Sequence, residues 1–340
     1  MIIVYNRELD NFHEITHAVS VQMVEYYNAI GKATLVLPID DYNISIIEND
    51  GIIYDTERDV SFVIKNYKYD TKQNRITINC YTSNWLLNKR VVATEKKIQN
   101  VESDLLDMVS ENLRGLYRTE VSEPSGIGGT TDLLLHGKQL LDQVMPVLEA
   151  KEFGNRMRWD ADRKTHVFEV YKGRDLTNGI HAVVFSEEQG TADDLVFSVD
   201  DSLFKNYIYV PGEKKNGEKV VVEVGSKTAE DRNERWMTGS FNQEEKESDV
   251  DFMARLEAVG IDEIARLVSK TTFSVVIDPT EYGIAYKMGD LVSCVSYRFG
   301  VELKSRITGV KYTLDTNGEK ISLILGSPVL TAIKEVYMNG

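Results

Sequence analysis

Apolar and polar residues alternate with a period of two through residues 1–95, which is the pattern of half-buried β-strands. Residues 18–25 and 31–38 form one such pair of strands, separated by a short turn. Residues 61–69 and 75–82 form a second pair, joined by a polar stretch. We therefore predict that this first part of the chain folds as an all-β barrel or sandwich.

A helical period replaces the alternation at about residue 100. Ser103 precedes apolar residues at the i, i+3, i+4 and i+8 positions of an amphipathic helix, which Gly115 would end. A second helix is predicted over residues 138–151, bent at Pro146. The stretch 122–129 between them is rich in Ser and Gly, which predicts an exposed and mobile loop. These features predict a small α/β part.

The alternation returns after residue 201. Residues 204–210 and 219–224 flank Asn216 and Gly217, the favoured two-residue hairpin turn. Strands then recur as far as residue 326. A helix is predicted between residues 247 and 269, where one face carries Phe252, Leu256, Val259, Ile264, Leu267 and Val268.

Two of the predicted hairpins are similar in sequence. A shift of 245 residues, without a gap, superimposes four identical residues: Tyr67 on Tyr312, Asp70 on Asp315, Thr71 on Thr316 and Ile76 on Ile321. Two explanations remain open, a duplicated unit or convergence of two hairpins on common turn residues. Duplication predicts that Ile76 and Ile321, and likewise Ile78 and Leu323, occupy equivalent inward positions.

The chain is acidic, with 39 basic and 54 acidic residues, so its formal net charge is 39 − 54 = −15. This balance argues against a nucleic-acid-binding protein, because affinity for phosphate comes from clustered Lys and Arg. It is compatible with DNA passing nearby without sticking, or simply with solubility. No segment approaches the roughly 20 apolar residues of a membrane span, so no membrane insertion is expected.

The sharpest enzymatic signal is the sequence His13-Glu14-Ile15-Thr16-His17. On a helix, His13 and His17 would share a face and bind zinc, with Glu14 activating the bound water. The residues that follow alternate with strand period, whereas zinc chemistry of this kind requires a continued helix. We therefore predict no catalytic zinc here and keep a zinc-dependent peptidase as the alternative function.

The remaining chemistry-bearing residues form no complete set. Cys80 and Cys294 lie in alternating apolar stretches and are interpreted as buried hydrophobic residues rather than a disulfide or metal pair. Isolated histidines and acidic pairs lack a partner motif; they are His136, His166, His181, Asp40-Asp41, Asp193-Asp194 and Asp200-Asp201. The sequence thus predicts no catalytic residue, no cofactor site and no metal site.

Several short motifs follow one another in a specific order along the chain. The middle of the chain carries Gly173-Arg174-Asp175-Leu176-Thr177, then Val183-Val184-Phe185-Ser186, then Lys205-Asn206. Its end carries Gly289-Asp290-Leu291-Val292 and then Arg306-Ile307-Thr308-Gly309-Val310. This succession, with the first hairpin, resembles the tail-hub proteins of siphophages and prophages, the siphophage tail-associated protein family, which is similar to the baseplate hub of contractile tails.

The resemblance implies an α+β, mainly β fold of two similar β-barrel domains with α/β insertions. Three such chains would form a ring of six similar barrels that matches a hexameric tail tube. On this basis the predicted domains are a first β-barrel, 1–95; an α/β insertion part, 96–200 with 226–270; a second β-barrel, 201–225 with 271–330; and a C-terminal tail, 331–340.

The implied function is structural and non-enzymatic. The resemblance implies a baseplate hub that closes the distal end of the tail tube and leaves a channel for DNA, located at the virion tail tip. The expected partners are two further copies in a homotrimer, the distal tail protein, the tail tube, the tape-measure protein and tail fibre or lytic tip proteins. No secretory signal is recognised at Met1, so synthesis in the bacterial host cytoplasm is expected, which weakens a third reading as a secreted adhesin. Any lytic activity is expected on another protein, since the sequence stops at Gly340.

Overall fold

The computed structural model describes residues 1–225, 230, 232–238, 241–267, 270–277, 280–298 and 300–326. Within these residues the fold is mainly β, which confirms the predicted predominance of strands. No closed barrel is found in this described part of the chain. The predicted C-terminal tail, 331–340, and Val268 of the predicted helix lie outside it.

The first predicted strand pairs are both present. The elements up to residue 89 are β1 (Ile2–Tyr5), β2 (Phe12–Ile15), β3 (Ser20–Tyr26), β4 (Lys32–Pro38), α1 (Asp41–Ile46), β5 (Ile52–Asp55), β6 (Val60–Asp70), β7 (Arg75–Thr82) and a 3₁₀ helix (Ser83–Lys89). β3 pairs with β4 and β6 pairs with β7, both antiparallel. In β7 the burial alternates residue by residue, as the sequence period predicts.

Two helices dominate the next segment. Its elements are β8 (Lys96–Asn100), α2 (Val101–Leu113), β9 (Thr119–Val121), β10 (Thr130–Leu135), α3 (Leu140–Ala150), β11 (Gly154–Asp160), β12 (Thr165–Tyr171), β13 (Val184–Phe185) and β14 (Asp194–Asp200). The side chain of Asn100 caps α2, and the helix ends where Arg114 and Gly115 adopt positive φ. The apolar faces of α2 and α3 pack into one shared core, which includes Leu105, Val109, Val144 and Leu148.

The last segment carries a third predicted hairpin and a long helix. Its elements are β15 (Tyr207–Glu213), β16 (Lys219–Gly225), β17 (Glu234–Trp236), β18 (Phe241–Asn242), α4 (Asp249–Arg266), β19 (Lys270–Ile277), β20 (Leu291–Ser296), β21 (Val301–Asp315) and β22 (Gly318–Gly326). β15 and β16 pair across Asn216 and Gly217, as predicted. The side chain of Ser248 caps α4.

Contacts divide the chain into two compact units: residues 1–196 with 273–340, and residues 197–272. In the second unit α4 covers the apolar face of β15 and β16, with Phe252 and Leu256 fully buried. This grouping differs from the predicted one, which placed 201–225 with 271–330 and assigned 226–270 elsewhere. Alternation reveals that β15 and β16 have one apolar face, but not which element will cover it.

Thirteen strands of the described residues lie in one sheet. Their order is β14-β19-β22-β21-β3-β4-β7-β6-β5-β1-β2, with β20 beside β21 and β13 beside β20. No helix in the part of the chain described is both long enough and apolar enough to cross a membrane.

Candidate functional site at the seam of the duplicated sheet

The hairpin β6–β7 and the hairpin β21–β22 share one register and one bulge. The first pairs Ile64–Cys80 and, after a bulge, Asn66–Asn79, Tyr67–Ile78, Lys68–Thr77 and Tyr69–Ile76. The second pairs Ile307–Leu325 and, after a bulge, Gly309–Ile324, Val310–Leu323, Lys311–Ser322 and Tyr312–Ile321. β7 therefore matches β22 at a shift of 321 − 76 = 245, and β6 matches β21 at 307 − 64 = 243.

The predicted gapless alignment is thus right for the returning strand and wrong by two residues for the entering one. Tyr69, and not Tyr67, is the structural counterpart of Tyr312. The reason is turn length, because the second hairpin continues for two more pairs before it turns at Asp315–Gly318. Ile76, Ile78, Ile321 and Leu323 are all buried, at 0–2% exposure, as predicted.

The match continues into the neighbouring strands. β5 pairs with β6 as Ile52–Val63, Ile53–Phe62, Tyr54–Ser61 and Asp55–Val60, and β20 pairs with β21 as Leu291–Arg306, Val292–Ser305, Ser293–Lys304 and Cys294–Leu303. Backbone bonds beyond the strand ends agree as well. Ile64 N donates to Gly51 O at 2.8 Å, and Ile307 N donates to Asp290 O at 2.9 Å.

Strand order repeats too. The order β3-β4-β7-β6-β5-β1 corresponds to β14-β19-β22-β21-β20-β13, strand for strand and in the same chain order. Among the pairs whose direction is given by the described residues, the last one differs, since β1 runs antiparallel to β5 and β13 runs parallel to β20. Convergent turn chemistry does not produce matched strand order, bulges and registers, so the two hairpins belong to a duplicated unit.

The two halves join where β3 pairs antiparallel with β21, and we call this pairing the seam. Its register runs from Val21 opposite Leu314 to Tyr26 opposite Gly309. β20 occupies the first part of the same edge of β21, pairing with Val301–Arg306. The seam therefore turns two similar halves into one continuous sheet.

Arg58 links the halves beside the seam. Its guanidinium carbon lies 3.3 Å from the ring centroid of Tyr312, a cation–π contact. The same guanidinium forms an ion pair with the fully buried Asp55 and another with Glu319, at 3.2 Å. Arg58 and Asp55 come from the first half, whereas Tyr312 and Glu319 come from the second.

A polar cavity of about 730 Å³ lies next to these residues. Its lining includes Glu25 of β3, Arg58, Arg156, Tyr171 and Tyr282. Burial raises the pKa of Glu25 to about 7; Arg58 and Arg156 oppose this rise, and Asp55 reinforces it. This carboxyl group can therefore change charge near neutral pH.

Three of the sequence motifs meet at a second junction. The Asp290 carboxylate accepts hydrogen bonds from Arg174 N at 2.8 Å and from Arg174 Nη2 at 2.6 Å. Arg306 Nη1 donates to Gly289 O at 2.6 Å. Gly173 is required here, because a Cβ on it would lie 1.8 Å from Gly289 O. We call these five residues the motif node.

Tyr27, directly after β3, fixes the first half to the motif node. Its hydroxyl donates to Glu152 O at 3.1 Å and Tyr171 O at 3.2 Å, and it accepts from Gly173 N at 3.3 Å. Its ring lies so close to Gly289 that a Cβ there would be 2.4 Å away. Sequence reasoning assigned Tyr27, Glu25 and Arg58 to no site in this region, because the contacts that join them to the second half involve residues distant in the chain.

The Lys205-Asn206 motif lies in the unit of residues 197–272 and makes contacts there. Lys205 Nζ donates to Asn233 Oδ1 at 2.6 Å, and Asn233 N donates to Asn206 Oδ1 at 2.8 Å. Val183 to Ser186 lie around β13, where Ser293 N donates to Val183 O at 3.0 Å.

The His-Glu-x-x-His sequence begins in a strand, not in a helix. His13 and Glu14 lie in β2, where neighbouring side chains point to opposite sides. His13 is buried against the ring of Tyr42, while Glu14 and His17 are exposed. The strand predicted after His17 is confirmed as β3, and the helical arrangement that a zinc site of this class needs is absent from these described residues.

The other candidate residues have local partners. His166 is buried against Trp159, and burial lowers its pKa to about 3. The predicted mobile loop is instead held by Glu102, whose carboxylate accepts from Ser125 and from the backbone N–H groups of Gly126 and Ile127 at 2.9 and 2.8 Å. Across the described residues, no group of three or more His, Cys, Asp or Glu side chains is arranged to hold a metal ion.

Solved structures with this fold include tail proteins and prophage tail proteins. A tail protein from Neisseria meningitidis MC58 superimposes with a TM-score of 0.60 at 10% identity, covering 96% of this chain and 97% of that one. The prophage MuSo2 43 kDa tail protein from Shewanella oneidensis gives 0.60 at 11% identity, covering 95% and 97%. Prophage tail protein gp18 from Listeria monocytogenes EGD-e gives 0.54 at 18% identity, covering 98% and 97%.

The fold is therefore that of a phage tail protein. The sequence profile of the Siphovirus ReqiPepy6 Gp37-like protein family matches residues 1–327, and the chain belongs to that family. Among curated protein sequences, none matches this chain significantly. The resemblance to siphophage tail proteins noted in the sequence is confirmed.

Proposed function

We propose that this tail protein is a non-enzymatic baseplate hub that closes the distal end of the tail tube and surrounds a channel for DNA. One observation carries the proposal: the chain contains two halves with matched strand order and register, joined edge to edge at the seam. Three copies joined in the same manner would place six similar barrel-like units around one axis, which suits a sixfold tube. Such head-to-tail contacts close into a ring when the rotation fits.

The charge of the chain is compatible with a channel for DNA. Proteins retain phosphate through clustered positive charge, and a net charge of −15 does not favour such clusters. DNA would therefore pass without specific binding. Membrane insertion forms no part of the proposed role. The role requires partners on both sides: the distal tail protein and tail tube on one, and the tape-measure, tail fibre or lytic tip proteins on the other.

The test is the mass and shape of the purified chain. Light scattering should give three times the chain mass for the protein alone, or, after the distal tail protein is added, the mass of a complex that contains three copies of the chain. Electron microscopy should reveal rings with a central opening. A strictly monomeric protein under both conditions would contradict the hub.

A further inference from the structure

One strand edge of the first half corresponds to the seam edge of β21, and in the described strand order of the single chain no strand lies beside it. By the duplication, β6 corresponds to β21 and β14 corresponds to β3. β21 has β22 on one edge, and β20 and then β3 on the other. β6 has β7 on one edge, but on the other β5 reaches only as far as Val63, and in the described strand order nothing follows along Asn66–Asp70.

Burial differs sharply between the corresponding positions. Val310 and Tyr312 of β21 are 1% and 5% exposed, because β3 lies beside them. Their counterparts in β6, Tyr67 and Tyr69, are 36% and 39% exposed. Two large aromatic side chains at a sheet edge, whose counterparts are covered, indicate that a further strand belongs there.

β14 is the strand that corresponds to the covering one. Val19 N donates to Val36 O at 2.8 Å beside β3, and Asp193 N donates to Val276 O at 3.0 Å beside β14. The shift is therefore 193 − 19 = 174, which places Val199 at the position of Glu25. β14 ends the strand order of the sheet, and Val199 is 52% exposed.

We propose that β14 of one copy pairs antiparallel with β6 of a second copy, in the register of the seam. Transferring the seam register, with shifts of 174 for β3 and 243 for β21, places Val199 opposite Tyr67 of the partner subunit. It also places Phe197 opposite Tyr69 of the partner subunit, and Ser198 opposite Lys68 of the partner subunit. The pairing rests on the proposed hub, since it repeats the internal contact between copies.

The partner is a second copy because the chain carries both surfaces. Glu25 and Val310 pair within the chain, and their counterparts Val199 and Tyr67 are both exposed. Pairing would remove these apolar side chains from water, which favours association. β6 belongs to the first half and β14 to the second, so the two surfaces differ and the contact is head-to-tail. In an open assembly, one β6 surface and one β14 surface would stay uncovered until the ring closes.

Disulfide cross-linking tests the register. Opposite residues of an antiparallel pair have Cα atoms about 4.5–5.5 Å apart, within the range of a disulfide. The double variant Ser198→Cys with Lys68→Cys should form covalent dimers and trimers on mild oxidation. The native Cys80 and Cys294 are buried and do not compete.

Two matched variants serve as controls. Val24→Cys with Lys311→Cys spans the seam itself, where these residues are paired, and should close within one chain without raising its mass. Ser198→Cys with Lys72→Cys moves one thiol into the turn beyond β6 and should not cross-link.

The outcomes separate this proposal from the hub. A trimer whose intrachain control closes, but whose Ser198–Lys68 variant does not cross-link, would overturn the strand pairing and leave the hub standing. A protein that is monomeric with and without the distal tail protein would overturn both. Tyr69→Asp should reduce the trimer fraction, because the partner strand would cover this side chain, which is 39% exposed in the single chain.

Discussion

Charged residues beside the seam are surrounded by protein rather than by water. Arg58 has an ion pair, a second ion pair and an aromatic ring around its guanidinium, and it spans both halves. Glu25 lies on the cavity wall, where burial penalises its ionised form. A single ionisable group at this position makes the stability of the seam depend on pH.

We predict that the Glu25→Gln substitution increasingly stabilises the fold, relative to the wild type, as the pH rises. The pKa of Glu25 is raised from 4.5 to about 7, so its protonated form stabilises the fold below about pH 4.5, and that contribution is lost as the pH rises through about 7. Glutamine resembles the protonated form at every pH. Between pH 5 and pH 8, the free energy of unfolding of the variant should therefore gain about 1–3 kcal/mol relative to the wild type.

Urea denaturation at the two pH values measures this difference. Glu14→Gln is the matched control, because it makes the same substitution at an exposed position on β2. A Glu25→Gln difference that stays constant from pH 5 to pH 8 would show that the carboxyl group does not titrate in this range.

At the scale of elements, the duplicated hairpins bury equivalent residues on equivalent faces. Ile76 and Ile321 occupy the same place in β7 and β22, and each is almost fully buried. Their neighbours Thr77 and Ser322 point to the opposite face and are half-buried.

Ile76→Ala and Ile321→Ala should each reduce the free energy of unfolding by about 2–5 kcal/mol, because each leaves a cavity in a packed core. Thr77→Ala and Ser322→Ala are the controls and should cost much less. Chemical denaturation of the four variants gives the comparison. A loss below about 1 kcal/mol for either isoleucine variant would mean that its side chain is not packed in the core.

The strands and helices were predictable because their signals are local. The alternation of β7, the turn at Asn216–Gly217 and the apolar face of α4 each depend on residues within one element. The pairing of strands and the grouping of elements into compact units were harder to predict from the sequence. The two-residue offset between β6 and β21 comes from turn length, and a gapless comparison of sequences does not detect it.

The candidate site was predicted only in part. Motifs around Arg174, Asp290 and Arg306 were recognised by their order, and the structure brings them together at the motif node. The contact of Arg58 with Tyr312 joins residues far apart in the chain, so neither residue carries a local signal. The loop held by Glu102 was predicted to be mobile because its composition does not reveal its carboxylate partner.

At the scale of the whole molecule, the chain departs from its own repeat most in the connection between two corresponding strands. β3 and β4 are connected by the short turn 27–31, whereas the corresponding strands β14 and β19 are connected through residues 201–269. That connection contains β15 to β18 and α4, which have a core of their own. The added residues therefore lie outside the duplicated strand order.

We predict that replacing residues 201–269 with a short turn rich in Asn and Gly leaves the duplicated sheet folded. The strands on either side keep their neighbours, since a connection of the same kind joins β3 and β4. Circular dichroism and light scattering should reveal a folded chain with unchanged assembly. An unfolded product would show that the sheet requires the inserted unit.

The two corresponding connections differ in how much added chain they can hold. The turn 27–31 is closely confined, because the hydroxyl of Tyr27 is bonded on several sides and a Cβ on Gly31 would lie 2.2 Å from Val24 O. The connection from β14 to β19, in contrast, contains several strands and a helix that share a core of their own. A domain should therefore be tolerated as an insertion at one turn of the repeat, whereas the packing around the other turn leaves no room for added side chains.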